Sequence, residues 1–210
     1  MCGIAGALIY GGGGQVAKGD MASMCHAMVH RGPDAEGVWL SPDGKIGLAH
    51  RRLTIIDLAD AAGQPMANED GEILVTYNGE IYNHAALRLE LTKAGHRFRT
   101  DHSDTEVVVH GYEEWGLEGL LPRLEGMFAF ALWDEGRGVL SLVRDRIGVA
   151  PGRIQHGDSE QRAGGHIDVD RVSATRSHDA QLRQLLNGRT VYQIDLGDED
   201  VEALQRFNQV

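Results

Sequence analysis

The sequence predicts an α+β fold with largely antiparallel sheets. Two hairpin patterns support this prediction, because turn residues at 42–45 and 134–138 separate short apolar runs. Between them, segments beginning near Asn83 and Ser103 carry apolar side chains at helical spacing. An order of strands, then helices, then strands favours a layered α+β fold over an alternating parallel one.

Length, charge and cysteine content exclude several classes of protein. The 210 residues are enough for one sizeable domain and conceivably a small second one. The net charge is −11 and the 20 Lys and Arg residues are scattered, so nucleic acid and anionic membranes are not expected partners. Neither a signal peptide nor a membrane-spanning run is present, which predicts a cytoplasmic protein. The cysteines, Cys2 and Cys25, have no zinc-type spacing, so no metal site is predicted.

The first strand is predicted at residues 4–10, and it would hold Cys2 in place. If Met1 is removed, Cys2 carries a free α-amine with a pKa of roughly 7.7–8.0, against roughly 8.5 for its thiol. The amine can then take the thiol proton and leave a nucleophilic thiolate. The alternative is a small residue after the start methionine with no chemical role.

A helix is predicted after residue 20, with Asp20 as its cap and an apolar face that contains Cys25. We interpret Cys25 as a core residue. The polar stretch at 30–34 ends this helix, since its Gly-Pro pair cannot continue it. A hairpin over residues 37–50 follows and leads to Arg51, Arg52 and a short β-rich run at 54–57.

Three polar positions at the ends of elements are candidates for ligand binding. An arginine at 51 or 52 can hold a carboxylate with two hydrogen bonds, or form a surface ion pair. Asn78 and Gly79 follow a strand at 73–77 and can donate to an oxyanion, or form a simple turn. Asp104, in a predicted capping box from Ser103 to Glu106, can bind a ligand ammonium or complement the helix dipole.

These motifs, in this order and spacing, resemble the glutaminase domain of glutamine-hydrolysing asparagine synthetases, which are class II glutamine amidotransferases. The resemblance covers residues 2 to about 151 and rests on the stretches CGI at 2–4, HRGPD at 30–34, RLTIID at 52–57, NGEIYN at 78–83, SDTE at 103–106, GMFAFA at 126–131 and RDRIG at 144–148.

The resemblance implies a four-layer αββα sandwich of the N-terminal-nucleophile hydrolase type and a role for each site residue. It implies that Cys2 is the nucleophile and that Asn78 and Gly79 form the oxyanion hole. It further implies that Arg52 holds the α-carboxylate of glutamine, while Glu80 and Asp104 hold its α-amino group. Neither a metal nor an organic cofactor is implied for this reaction.

Residues 2–151 are therefore predicted to be a class II glutamine amidotransferase domain, and residues 152–210 an atypical continuation. The family's ATP-binding synthetase half is not recognised in this sequence, so ATP and Mg²⁺ are expected only on a missing domain or a partner. We expect residues 152–188 to be poorly ordered and cut first by proteases, with neighbouring strand edges left unpaired. Residues 192–196 alternate and predict a strand, and the apolar spacing at 201–207 predicts a weak helix.

The predicted function is hydrolysis of glutamine to glutamate and ammonia, for transfer of the ammonia to aspartate. The alternatives are a catalytically idle binding or regulatory module, a truncated fragment, and an ammonia donor to another acceptor. The expected partners are glutamine and an ATP-binding synthetase subunit or domain, and self-association into a homo-oligomer stays open.

Overall fold

The computed structural model describes residues 2–10, 14–53, 63–145, 153–157, 165–168, 184–186, 189–195 and 203–208. Within these residues the elements are β1 (Gly3–Tyr10), α1 (Lys18–Ala27), β2 (Ala35–Leu40), β3 (Ile46–Arg52), β4 (Met66–Ala67), β5 (Ile73–Ile81), α2 (His84–Ala94), α3 (Asp104–Leu120), a 3₁₀ turn (Leu121–Arg123), β6 (Gly126–Asp134), β7 (Val139–Arg144), β8 (Arg153–Gly157), β9 (Gly165–Asp168), β10 (Gln184–Leu186), β11 (Arg189–Asp195) and β12 (Ala203–Asn208).

The described strands form two antiparallel sheets of six. The first has the order β2-β3-β1-β12-β8-β9, and the second has the order β10-β11-β7-β6-β5-β4. Both hairpins predicted from turn residues are present, since β2 pairs with β3 and β6 pairs with β7. The predicted run at 54–57 lies outside the described residues.

Alternating side chains along the strands build three apolar layers. In β1, Leu8 packs between the two sheets with residues of β3, β5, β6 and β7, whereas Ala5 and Ala7 face α1. In β6, Trp133 joins the layer between the sheets, and Phe128 and its same-face neighbours meet α2 and α3. The layers therefore stack in the order helix, sheet, sheet, helix, which confirms the predicted αββα sandwich.

The helix before the first hairpin is confirmed, but its cap is not the predicted one. The N-cap of α1 is Ala17, and Asp20 lies in the first turn. The predicted core role of Cys25 is confirmed, because the side chain is 1% exposed and its thiol donates to the carbonyl of His50 over 3.5 Å. Burial raises the pKa of this thiol, and burial is the largest of its causes.

The helix α3 begins where predicted, but the predicted capping box does not form. Ser103 is the N-cap residue, yet its side chain makes no capping hydrogen bond. Glu106 instead accepts hydrogen bonds from the backbone N–H groups of Arg99 and Thr100, at 2.6 and 2.9 Å. The carboxylate therefore organises the loop before α3, because it satisfies two of the loop's backbone N–H groups.

Five strands from residues 153–208 complete the two sheets, and they correct two expectations. The predicted strand near 192–196 is confirmed as β11, which pairs with β7 along its length. The predicted helix over 201–207 is wrong, because β12 is a strand that lies between β1 and β8. The reason is tertiary, since the backbone of β1 offers hydrogen bonds that outweigh a weak helical spacing.

The expected unpaired edges at β1 and β7 are likewise wrong, because β12 and β11 cover them. The expectation of poor order at 152–188 falls mostly on residues outside the described ones and stays a prediction. The boundary at residue 151 also stays a prediction. Among the described residues, no helix combines the length and apolar character needed to cross a membrane.

Candidate functional site

Cys2 directly precedes β1, and this half-buried residue is held by three contacts. Its Sγ accepts from the backbone N–H of Leu53 at 3.4 Å and faces the Leu53 carbonyl at 3.7 Å. The Nε of Arg31 donates to the Cys2 carbonyl over 3.2 Å. The thiol is therefore fixed by its neighbours while remaining partly open to a ligand.

Two consecutive arginines end β3, and the pleat of the strand sends them to opposite faces. Arg51 is 7% exposed, donates from Nε to the carbonyl of Gly32 over 2.8 Å, and pairs with Glu36. Its guanidinium is thus held by partners within the protein. Arg52 shares its face with His50 and lies on the side of the first sheet that meets the second. The two arginines therefore serve different surroundings, Arg51 on the face toward α1 and Arg52 on the face toward the second sheet.

His50 is a buried neutral base that the sequence did not single out. Its pKa is lowered to about 4, first by burial and also by the nearby Arg52 cation, while a hydrogen bond to the Tyr77 backbone opposes the shift. Its Nε2 has no hydrogen-bond partner among the described residues. The ring therefore stays uncharged at neutral pH and links the two sheets beside the site.

This shift predicts a pH dependence of folding stability. Because the folded pKa is about 4 and the unfolded one roughly 6.5, the unfolded chain binds the proton first. The contribution of His50 is full above pH 6.5 and is lost as the pH falls toward 4, by about 3 kcal/mol. Urea unfolding of the wild type and of His50→Gln from pH 4 to 7.5 measures it.

The exposed His102 supplies the matched control for that prediction. His102→Gln should keep the wild-type slope of unfolding free energy against pH, whereas His50→Gln should flatten it between pH 4 and 6.5. A slope unchanged in His50→Gln would contradict the assignment.

Asn78 and Gly79 lie inside β5, which runs on to Ile81, so the alternative of a simple turn is wrong. Asn78 is 2% exposed and shares a face of the strand with Thr76, whose hydroxyl donates to the Ala49 carbonyl in the first sheet. The side chain of Asn78 therefore points toward the sheet that carries Cys2.

The N–H of Gly79 points to the edge of β5 opposite β6, which is open at this point among the described residues. Every second residue of a strand directs its N–H to the same edge. Two residues before and after Gly79, the N–H of Tyr77 donates to Oε1 of Gln64 and the N–H of Ile81 donates to Oδ2 of Asp104. Opposite Gly79 in β6, the backbone N–H of Phe128 donates to the Asp145 carboxylate, and the Phe128 carbonyl accepts from the Asp145 N–H. Gly79 and Phe128 are thus a pair without mutual hydrogen bonds, so the Gly79 N–H is directed away from β6.

Only glycine fits at position 79. The strands approach most closely at a pair without mutual hydrogen bonds. A Cβ on Gly79 would lie 2.3 Å from the Met127 carbonyl oxygen and 2.6 Å from Cα of Phe128, both of which are backbone atoms. The absence of a side chain at Gly79 therefore allows β5 and β6 to approach each other this closely.

Asp104 lies in the first turn of α3, as predicted, and its carboxylate has defined partners. Its Oδ2 accepts from the Tyr77 hydroxyl at 2.7 Å and from the Ile81 N–H at 3.0 Å. These bonds join the start of α3 to β5 next to Gly79. The carboxylate is fixed there by hydrogen bonds, which a role confined to the helix dipole would not require.

Tyr77 connects the charged groups of the site. Its pKa is raised well above the ordinary value, first by burial, then by Asp104, and further by electrostatic interaction with Glu80 and Cys2. Asp104 is in direct contact, since the Tyr77 hydroxyl donates to its Oδ2 over 2.7 Å, and Glu80 lies further along the same strand, β5.

Sequence reasoning identified the ligand-facing candidates but not the residues that position them. Tyr77, Gln64, His50 and Asp145 all support the site through hydrogen bonds. The signal that could have found Tyr77 is a hydroxyl-bearing side chain within an otherwise apolar strand directly before Asn78, since a buried tyrosine needs a partner. Gln64 carried no such signal.

Comparison with solved structures supports the fold. The glutamine phosphoribosylpyrophosphate amidotransferase from B. subtilis, solved with ADP and GMP, superimposes with a TM-score of 0.63 over 91% of this chain and 41% of that chain. The two sequences are 18% identical. The likeness therefore establishes a shared N-terminal-nucleophile fold and nothing about substrate.

Curated relatives give much higher identity over the same region. The asparagine synthetase [glutamine-hydrolyzing] 2 of Bacillus subtilis (strain 168) is 46% identical over 131 residues, covering 62% of this chain and 17% of that protein. The asparagine synthetase [glutamine-hydrolyzing] of Sandersonia aurantiaca is 45% identical over 151 residues, covering 72% and 27%. The chain thus spans about a quarter or less of the length of these relatives.

The family assignment rests on most of the chain. Residues 1–163 match the glutamine amidotransferase domain family. This match extends about a dozen residues beyond the limit at 151 inferred from the motifs, and it includes all six predicted site residues: Cys2, Arg52, Asn78, Gly79, Glu80 and Asp104. The chain belongs to the glutamine amidotransferase domain family.

Proposed function

We propose that this chain hydrolyses the side-chain amide of glutamine, with Cys2 as the nucleophile. The observation that carries the proposal is the Asp104 carboxylate, which the Tyr77 hydroxyl and the Ile81 N–H hold beside the N–H of Gly79. Cys2 directly precedes β1, in the sheet that the Asn78 side chain faces. A nucleophile, an oxyanion donor and acidic groups for an ammonium are the parts that glutamine hydrolysis needs.

The reaction begins with proton transfer from the thiol of Cys2 to its own α-amine, after removal of Met1. The thiolate attacks the amide carbon, and the amide nitrogen leaves as ammonia with the proton that the amine returns. Water then hydrolyses the thioester to glutamate and the free thiol. No metal ion or organic cofactor takes part in these steps.

The oxyanion of each tetrahedral intermediate is stabilised by the side-chain amide of Asn78 and the backbone N–H of Gly79. Support comes from the direction of the Gly79 N–H and from the near-complete burial of Asn78 on the face that meets the first sheet. Donors fixed by a sheet need no reorganisation when the negative charge develops, which is why they lower the barrier.

The other end of glutamine is held by groups of opposite charge. Arg52 forms two hydrogen bonds to the α-carboxylate, since it lies on the face of β3 next to the site. Asp104 and Glu80 attract the α-ammonium. The Tyr77 hydroxyl and the Ile81 N–H hold the Asp104 carboxylate in one orientation, so its charge is available without rearrangement.

We propose aspartate as the final acceptor of the ammonia, because the relatives with 45–46% identity are glutamine-hydrolysing asparagine synthetases. ATP and Mg²⁺ would then bind to a synthetase domain or partner subunit rather than to the residues described here. Transfer to another acceptor would leave this site unchanged, so assays with candidate acceptors and synthetase partners decide between them.

Release of glutamate and ammonia from glutamine by the purified chain tests the proposal. Equal amounts of both products, absent with Cys2→Ala, are expected. Saturable glutamine binding without turnover in a chain that has lost Met1 would favour the alternative of an idle binding module. A partner synthetase that raises turnover would support delivery of ammonia to that partner.

Arg52→Lys should raise the KM for glutamine at least tenfold while changing kcat much less. The positive charge is kept, but an ammonium cannot reproduce the two parallel hydrogen bonds of a guanidinium to a carboxylate. Steady-state kinetics with glutamine measure both constants.

Arg51→Lys is the matched control on the adjacent residue. Because Arg51 binds Gly32 and Glu36, this change should lower stability and leave the KM near the wild-type value. A normal KM in Arg52→Lys together with a raised KM in Arg51→Lys would reverse the two assignments.

A further inference from the structure

Two histidines and a glutamate meet in the outer helical layer, apart from the glutaminase site. His96 follows the end of α2, and His110 and Glu113 lie three residues apart on one face of α3. One ligand atom from each can be chosen such that all three lie within 4.8 Å of one another. The cluster thus joins the end of α2 to the middle of α3.

One carboxylate oxygen, Oε2 of Glu113, lies close to both imidazole rings. Oε2 of Glu113 lies 2.8 Å from Nδ1 of His110 and 3.7 Å from Nδ1 of His96. Ligand atoms around a tetrahedral zinc ion are about 3.4 Å apart, given Zn–N and Zn–O bonds of about 2.0–2.1 Å. Small rotations of His96 and Glu113, which are 17% and 23% exposed, would reach this geometry.

Two of the three side chains, those of His96 and Glu113, are oriented by a further polar group. Nε2 of His96 lies 3.1 Å from Oε2 of Glu114, and Oε1 of Glu113 accepts a 2.8 Å hydrogen bond from the Asn68 side chain. Histidines that bind metals through one nitrogen commonly donate from the other to a carboxylate. The arrangement leaves both Nδ1 atoms on the side of Oε2 of Glu113, at 2.8 Å for His110 and 3.7 Å for His96.

The second observation is the buried ring of His110. Its side chain is 2% exposed, and Nε2 has no hydrogen-bond partner among the described residues. This atom lies 3.8 Å from Glu106 and 3.9 Å from Glu69, which are ion-pair distances rather than hydrogen bonds. A cation on Nδ1 would place the proton on Nε2 and strengthen its attraction to both carboxylates.

The charge of the surroundings also favours a cation. Four carboxylates, those of Glu69, Glu106, Glu113 and Glu114, lie within 4 Å of the two imidazoles. Even two protonated rings would leave an excess of negative charge. Imidazole and carboxylate ligands together suit Zn²⁺ and the neighbouring divalent transition metals rather than Ca²⁺ or Mg²⁺.

We propose that His96, His110 and Glu113 bind a divalent transition metal, Zn²⁺ in particular, with a water at the fourth position. The ion replaces the proton that now lies between His110 and Glu113. Since its ligands come from α3 and from the residue after the C-cap of α2, it clamps the two helices that cover the second sheet. The site is structural and takes no part in the chemistry at Cys2.

Calorimetric titration of the metal-free chain with Zn²⁺ tests this proposal. We expect one saturable site that raises the melting temperature, as ligands selective for the native state do. His96→Gln and Glu113→Gln should each weaken Zn²⁺ binding at least tenfold, with folding checked by far-UV circular dichroism. His102→Gln, at an exposed histidine outside the cluster, should bind like the wild type.

Thiolate binding at Cys2 is distinguished by two further measurements. Cys2→Ala should retain the site, and bound Co²⁺ should show visible d–d absorption without a thiolate charge-transfer band. The proposal is overturned if Zn²⁺ does not bind saturably, if binding is equal in His96→Gln, Glu113→Gln and His102→Gln, or if it disappears with Cys2→Ala.

Discussion

Cys2→Ala is expected to abolish glutamine hydrolysis, by about 10⁴-fold or more, while leaving the fold intact. The chemistry is lost because the other of the two cysteines, Cys25, is buried in the core. Folding changes little, because the contacts of Sγ with Leu53, at 3.4 and 3.7 Å, are long and only partly buried. Turnover assays and urea unfolding measure the two effects separately.

Cys25→Ala is the matched control for the same chemical change. Cys25 is 1% exposed in the layer between the first sheet and α1, so its truncation should cost about 1 kcal/mol of stability and preserve turnover. Activity that survived Cys2→Ala but not Cys25→Ala would overturn the assignment of the nucleophile.

The same mechanism requires that the mature chain begin at Cys2. A retained Met1 would convert the α-amine of Cys2 into an amide, which cannot accept the thiol proton. Intact mass spectrometry of an active preparation decides the question, and full activity in a chain that keeps Met1 would exclude the amine as the base.

Gly79→Ala is expected to lower both stability and turnover strongly. The added Cβ would lie 2.3 Å from the Met127 oxygen and 2.6 Å from Cα of Phe128, so β5 and β6 must separate. Displacing two central backbone strands should cost about 3 kcal/mol or more. The proposed oxyanion donor moves with β5, so kcat should fall by at least about tenfold in the molecules that remain folded.

Gly19→Ala provides the comparison at an unhindered glycine. Gly19 lies in α1, where an added Cβ meets nothing within 4 Å, and alanine favours the helix by up to about 1 kcal/mol. This variant should be as stable as the wild type or slightly more so, and equally active. Wild-type stability and turnover in Gly79→Ala would show that the strands tolerate the methyl group and that the geometry assigned to this edge is wrong.

The sequence by itself determined the local elements and the chemical candidates. Hairpins follow from turn residues and helices from apolar spacing, because both depend on residues close together in the chain. Cys2, an arginine at 51 or 52, Asn78, Gly79 and Asp104 stood out because each offers a nucleophile, a charge or a hydrogen-bond donor at the end of a predicted element. The family resemblance then assigned their roles, and the match over residues 1–163 established the family.

Tertiary structure decided what depends on contacts between distant residues. The pleat of β3, seated between two layers, commits Arg51 to Glu36 and turns Arg52 to the other face. The pairing of β5 with β6 places Asn78 and Gly79 in a strand rather than a turn and directs the Gly79 N–H to an open edge. The edge of β1 makes a strand of residues 203–208, since long-range hydrogen bonds outweigh weak local preference. Burial, helped by the Arg52 cation, sets the neutral state of His50, because desolvation depends on everything packed around a side chain and no local pattern encodes it.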